Sequence, residues 1–263
     1  MNDCNRIPKV SIVMPAYNCE AFVEDSIRSI IDQTFDDWGL IVINDGSTDK
    51  TAEIISRLAA SDPRINFIEN ESNMGVSYTR NRAISLADGE WIAFLDSDDL
   101  WREDKLEKQL ALLSTHQDAV ISYTASAFIT EDGTPYEYVM KAPTIVDYKM
   151  LMSKNLLSCS SVIVKTSVMK QIKMPSDKMH EDYYTWLRIL GDNQVAYGVN
   201  EPLLIYRLRK NSKSSSRIKS ALMLLNTYCA VGYNIFLSAF LVFKYVFYSV
   251  SKRHKIYSSL RDD

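Results

Sequence analysis

The sequence is poor in the residues that make stapled or extended proteins. Its 263 residues include four cysteines, eight glycines and seven prolines. Cys4, Cys19, Cys159 and Cys229 are scattered, and no two have the close spacing of a zinc or redox motif. That argues for reduced thiols in a cytosolic compartment. So few glycines and prolines leave little room for long linkers. No internal repeat or low-complexity tract is present, which sets aside solenoids and tandem arrays. Residues 1–9 are polar and lack the apolar core of a signal peptide, so secretion is not expected.

What remains is globular: 46% of residues are apolar and 24% charged. The length suits one large domain, or a domain with an appendage. The net charge of −3 is unevenly spread. Arg207, Arg209, Lys210, Lys213, Arg217 and Lys219 put six positive charges within thirteen residues that contain no acid. A basic block on an acidic body is a local device for anions, phosphates or lipid headgroups, and not a nucleic-acid footprint.

The first hundred residues alternate short apolar runs with helical spacing. Strands are predicted at 10–14, 40–43, 65–68 and 91–95. Helices are predicted at 21–31, from the cap Ser47-Thr48-Asp49 to about residue 60, and at 75–87. This predicts an α/β fold, a mostly parallel sheet with helices on both faces. The second half is less regular, with helices at 103–113 and 182–190 and strands at 119–129, 161–164, 194–199 and 203–208.

Ligands on such sheets bind at the carboxyl ends of the strands. The loops there are Pro15-Ala16-Tyr17-Asn18, Asn44-Asp45-Gly46-Ser47-Thr48-Asp49 and Asp96-Ser97-Asp98-Asp99, all small or polar. Asp96 and Asp98 follow an apolar strand and, two apart in extended chain, project to one side. Placed there they can hold a divalent cation, and the cation a diphosphate.

Together with Asn73-Met74-Gly75, Arg80-Asn81, His180-Glu181-Asp182 and Tyr206-Arg207, these loops resemble the family 2 glycosyltransferases of the GT-A fold, over roughly residues 8–215. The overall pattern is similar to bacterial enzymes that extend O-antigen or capsule repeat units. The resemblance implies a uridine pocket of Pro15, Ala16, Tyr17 and Glu20, with Asp45 accepting from the uracil N3–H. Asn73, Gly75 and Arg80 would lie near the base and diphosphate, Ser97 with the nucleotide, and Arg207 on phosphate. Asp96 would contact ribose or metal, and Asp98 the metal. Two carboxylates and phosphate oxygens suit Mn²⁺ or Mg²⁺. The resemblance makes Asp182 the general base, with Glu181 second, and gives His180 and Trp186 to the acceptor. It implies single displacement with inversion. Ser212, Ser214, Ser215 and Ser216 resemble a segment that closes over the diphosphate.

Residues 221–243 contain no charge and are long enough for a bilayer span of about 20 residues. Both flanks are basic, and Thr227, Asn234, Ser238, Tyr245, Ser249 and Lys252 fall on one helical stripe. The pattern favours a helix lying in the membrane interface over a span or a buried core helix. The expected organisation is a catalytic domain at 1–215, with a nucleotide half (1–100) and an acceptor half (101–215), and a membrane-associating helical segment at 216–263.

The expected activity is hexosyl transfer, galactose or glucose, from a UDP-sugar to an undecaprenyl-diphosphate-linked saccharide. It would occur at the cytoplasmic face of the bacterial inner membrane, during O-antigen or capsule (lipopolysaccharide-type) synthesis. A β1,3 linkage to GlcNAc or GalNAc is the expected product, and assembly into oligomers is left open. Transfer directly to polyprenyl phosphate is the rival within catalysis. A sugar nucleotidyltransferase would need a Gly-rich loop after the first strand, and that loop contains no glycine. A processive synthase would need a Gln-x-x-Arg-Trp motif, which is absent. A non-catalytic UDP-sugar-binding module is the remaining alternative.

Overall fold

The computed structural model describes residues 7–191, 193–209 and 217–259. Strands β1 (Val10–Ala16), β2 (Trp38–Asn44), β3 (Ile65–Glu69) and β4 (Trp91–Phe94) alternate with helices α1 (Val23–Ile31), α2 (Thr51–Ser61) and α3 (Val76–Leu86). The four strands pair in the order β3-β2-β1-β4, all parallel. Their side chains alternate between two buried layers, as the pleat requires. Ile12, Met14 and Val42 pack on one face, and Val13, Ile43 and Phe94 on the other. Burial on both faces is why these strands read as continuous apolar runs.

The chain continues through β5 (Leu100–Trp101), α4 (Lys105–Thr115), β6 (Ile121–Ile129), β7 (Ile145–Val146), α5 (Tyr148–Ser153), β8 (Ile163–Lys165), α6 (Thr166–Met169), α7 (Glu181–Leu190) and β9 (Ala196–Arg207). Strand β8 inserts antiparallel between β4 and β6, while β6 runs parallel to β9. Strands β5 and β7 pair antiparallel with β9. Among the described residues nine strands thus form one sheet, parallel in its first part and mixed beyond. The two late strands expected at 194–199 and 203–208 are one strand, carried past Pro202 by register shifts against Thr124 to Ser126.

Helices α8 (Arg217–Ala230) and α9 (Ile235–Tyr257) form a hairpin. Gly232 turns it at φ 107°, and the Asn234 side chain accepts from Leu237 N at 2.9 Å to cap α9. The single polar stripe expected across Thr227 and Lys252 is therefore split between two helices. Its members Thr227 and Ser238 are fully buried, facing the protein. The outward face of α9 is aromatic instead: Phe236, Phe240, Phe243 and Phe247 are 63–85% exposed.

Candidate active site

The site is built where β1, β2 and β4 end. The order β3-β2-β1-β4 reverses direction between β1 and β4, and the crevice beyond that switch is where open α/β sheets take ligands. The loops after β1 and β2 are zipped together. Asp45 N donates to Ala16 O at 2.8 Å, and Thr48 N donates to Asn18 Oδ1 at 2.9 Å. Glu20 Oε2 accepts from Lys50 N at 2.8 Å. The carboxylate of Asp45 is buried and holds the next loop, accepting from Asn70 Nδ2 at 2.6 Å and from Met74 N and Gly75 N at 2.9 Å. Gly46 allows this approach, since a Cβ there would lie 2.7 Å from Asn73 N. The resulting wall carries Pro15, Ala16, Gly75 and the exposed side chains of Tyr17, Glu20 and Asn73.

Opposite stands the acidic loop, clamped by residues distant in sequence. Ser160 Oγ accepts from Asp96 N at 3.0 Å and donates to Asp99 Oδ2 at 2.7 Å. Asp99 Oδ1 accepts from Arg207 N at 3.0 Å. Arg207 Nε donates to Asp98 O at 3.0 Å and Nη1 to Glu131 O at 3.1 Å. Asp99 is fully enclosed, and burial with the charges of Asp98 and Asp96 pushes its carboxyl well above the usual range. Ser97 is buried, whereas the side chains of Asp96 and Asp98 remain 31% and 25% exposed at the front.

Arg80 ties this loop to α7. Its guanidinium is 4% exposed, donating through Nη2 to Asp96 Oδ1 at 2.5 Å and through Nη1 to Glu181 Oε1 at 2.7 Å. Glu181 is thus a buried partner of Arg80. Asp182 beside it is half-buried. Among the described residues its carboxylate is bonded once, by Tyr183 N to Oδ1 at 2.7 Å. Burial first, then the charge of Glu181, pushes the Asp182 carboxyl up, although Arg80 and His180 oppose this. A reachable carboxylate whose protonation range is raised suits a general base.

Among the described residues no three His, Cys, Asp or Glu side chains could hold a metal by themselves. Asp96 and Asp98 nevertheless fit Mg²⁺ or Mn²⁺, which keep waters and take one or two carboxylates plus phosphate oxygens. Burial and the neighbouring charge of Asp96 push the Asp98 carboxyl up, so an added cation there would relieve crowded negative charge.

Residues 11–169 match the family model described as Glycosyl transferase family 2. The chain belongs to glycosyltransferase family 2. It is 37% identical over 214 residues to a Bacillus subtilis (strain 168) protein assigned to teichuronic acid biosynthesis, glycosyltransferase TuaG; the match covers 81% of this chain and 84% of TuaG. It is 35% identical over 213 residues to WfgD of Escherichia coli, a UDP-Glc:α-D-GlcNAc-diphosphoundecaprenol β-1,3-glucosyltransferase, with 80% of this chain and 81% of WfgD covered. The crystal structure of S. aureus TarS 1–349 with UDP-GlcNAc superposes with a TM-score of 0.72 at 20% identity, covering 89% of this chain and 70% of that one. The fold is the GT-A fold.

Within this glycosyltransferase the structure gathers the loops of 15–20, 44–49, 73–75 and 96–99 with Arg80, Glu181 and Asp182. Three expected side chains are placed differently. Trp186 is fully buried and packs edge-on against Phe94 at 5.7 Å, so it belongs to the core and not to an acceptor surface. His180 Nε2 lies 3.1 Å from Ser220 O of α8, which makes it a link to the hairpin. Arg207, expected on phosphate, directs Nε and Nη1 at backbone carbonyls, while Arg209 Nη1 reaches Asp98 Oδ2 at 3.2 Å. Ser212, Ser214, Ser215 and Ser216, with Lys210 and Lys213, lie outside the described residues. Sequence reading missed Ser160 and the capping role of Asp177, whose Oδ1 accepts from Ser77 N at 3.0 Å at the start of α3. No local pattern marks either, because their partners are 61 or more residues away.

Proposed function

We propose that this family 2 enzyme transfers a hexose, glucose or galactose, from a UDP-sugar to an undecaprenyl-diphosphate-linked saccharide with inversion at the anomeric carbon. The observation that carries the reading is buried Arg80, which bridges Asp96 to Glu181 and so ties the loop that carries Asp98 to the helix start that carries Asp182. It fixes a diphosphate-facing pair and a base-like carboxylate on one rigid frame. Pro15, Ala16, Tyr17, Glu20, Asn73 and Gly75 take the uridine. A carboxylate offers about four acceptor sites; Asp45 uses three on its own loops and offers the last to uracil N3–H. Asp98, with Asp96, holds Mn²⁺ or Mg²⁺, which when bound neutralises the departing UDP. Asp182 takes the acceptor hydroxyl proton, and Glu181 with Arg80 keeps Asp182 in place.

The WfgD likeness supports a lipid-diphosphate acceptor and a β1,3 linkage. The hairpin supports a peripheral site of action at a membrane surface, placed on the cytoplasmic leaflet in this reading. Helix α9 is long and apolar enough to cross a membrane, with a mean hydropathy of 1.4 over an 18-residue window. It is docked on the catalytic body, however. The Tyr245 ring, midway along it, meets that of Tyr183 in α7 at 6.2 Å, and beyond its end Glu137 N donates to Ser259 O. A helix held in this way lies along the body and presents its phenylalanines to lipid. In this reading 1–215 is the catalytic domain and 216–263 the membrane-associating segment.

The test is UDP release from UDP-Glc, UDP-Gal, UDP-GlcNAc and UDP-GalNAc with Mn²⁺ and a synthetic GlcNAc-diphosphate-alkyl acceptor. Turnover is expected with a hexose donor and that acceptor. Turnover on bare undecaprenyl phosphate alone would favour the rival transfer.

A further inference from the structure

The acidic loop carries a cation of its own. Arg209 Nη1 lies 3.2 Å from Asp98 Oδ2, a single long contact, and the Arg209 side chain is 28% exposed. The other guanidinium pairings of this site are different in kind. Arg80 is buried and holds two carboxylates at 2.5 and 2.7 Å. Arg207 is buried and spreads its donors over the carbonyls of Asp98 and Glu131. Arg209 and Arg207 both lie against the Phe22 ring, at 4.9 and 5.0 Å from its centroid, so two like charges gather at one ring. Its Nε is buried with no hydrogen-bond partner among the described residues. Arg209 is therefore the loosely held member: one monodentate bond, one unsatisfied donor and one repulsive neighbour.

We propose that Arg209 is a resident counter-ion which occupies Asp98 in place of the divalent cation, and leaves when a metal and a nucleoside diphosphate enter together. The inference rests on the metal reading of Asp98 given above. A metal ion and a guanidinium cannot share that oxygen, since each repels the other at such range. Metal alone must displace Arg209 without offering it a new partner. Metal arriving with a diphosphate supplies an anion for the released guanidinium, for which its planar fork is suited. The two ligands then bind cooperatively, and linkage makes the effect reciprocal. The arrangement keeps the acidic loop neutralised between turnovers, and favours the metal–nucleotide pair over free metal.

The test is Mn²⁺ binding to the full-length protein, followed by the electron paramagnetic resonance of free Mn²⁺, with and without UDP. In the unaltered protein UDP is expected to tighten Mn²⁺ binding at least tenfold. Arg209→Gln is expected to bind Mn²⁺ alone at least threefold more tightly, and to show a UDP effect at least threefold smaller. Arg209→Met, which keeps the stem over Phe22, should behave the same. Asp98→Asn separates the two readings. If it loses Mn²⁺ binding while Arg209→Gln and Arg209→Met match the unaltered protein, the exchange is refuted and the metal site stands. If Asp98→Asn binds Mn²⁺ as before, the metal site falls and the exchange falls with it.

Discussion

Arg80 shows how much one side chain can hold. Removing it takes the guanidinium from two carboxylates, Asp96 and Glu181, in a site where Glu181 is 8% exposed. Breaking a buried pair by deleting one partner costs about 3–5 kcal/mol. Arg80→Leu is therefore expected to lose that much stability in urea titration, and a loss within 1 kcal/mol would contradict the frame. Asp182 makes a kinetic prediction. As the proposed base it must be ionised to accept a proton, and its carboxyl is pushed up. Activity should thus fall, as pH is lowered, at a pH above the ordinary carboxylate value of about 4. The acid limb of kcat/KM checks this, and Asp182→Asn should remove it. Lys105 is buried, its Nζ without a hydrogen-bond partner among the described residues and 4.0 Å from the centroid of the Trp101 ring, and burial pulls its amine well below the usual lysine range. The unfolded chain binds that proton more readily, so stability attributable to Lys105 rises with pH between the folded and unfolded values. Lys105→Met should stabilise the protein by about 1 kcal/mol at neutral pH and flatten that dependence. The acids at 96, 98, 181 and 182 were legible because strand ends and helix starts announce themselves locally. The role of Arg80 was not, since its partner Glu181 lies 101 residues away.

Helix α7 carries the proposed base, and its start is pinned by α8. His180 N donates to Thr227 Oγ1 at 3.2 Å, and Asn226 Nδ2 donates to Lys178 O at 3.1 Å. The Tyr183 and Tyr228 rings meet edge-on at 6.2 Å. Losing the two His180 side-chain contacts to Ser220 should cost about 1 kcal/mol. His180→Ala is accordingly expected to lower kcat severalfold while leaving the KM for the UDP-sugar within twofold. A raised donor KM instead would place His180 in the nucleotide site. The long elements of the first hundred residues were legible from apolar periodicity. Strands β5 and β7, at two residues each, carry no periodicity to read. The hairpin break was hidden because one glycine, Gly232, interrupts a run that is apolar on both sides.

At the scale of the whole molecule, the acidic site and the apolar helix belong to one body. Helices α7 and α8 connect them, which on the proposed function is where an acceptor held in lipid would meet a donor held in water. Replacing Phe240, Phe243 and Phe247 with serine should abolish sedimentation with anionic vesicles, while preserving turnover of a short-chain soluble acceptor. Vesicle binding that survives would remove α9 as the docking surface. The central claim is that Asp98 and Asp182 do separate jobs in one transfer reaction. Paired measurement of Mn²⁺-dependent UDP binding and of UDP release in Asp98→Asn and Asp182→Asn tests it most directly. Asp98→Asn is expected to lose both. Asp182→Asn is expected to keep binding and lose turnover about 10²–10⁴-fold; unaltered turnover in Asp182→Asn, or unaltered metal-dependent binding in Asp98→Asn, would contradict the account.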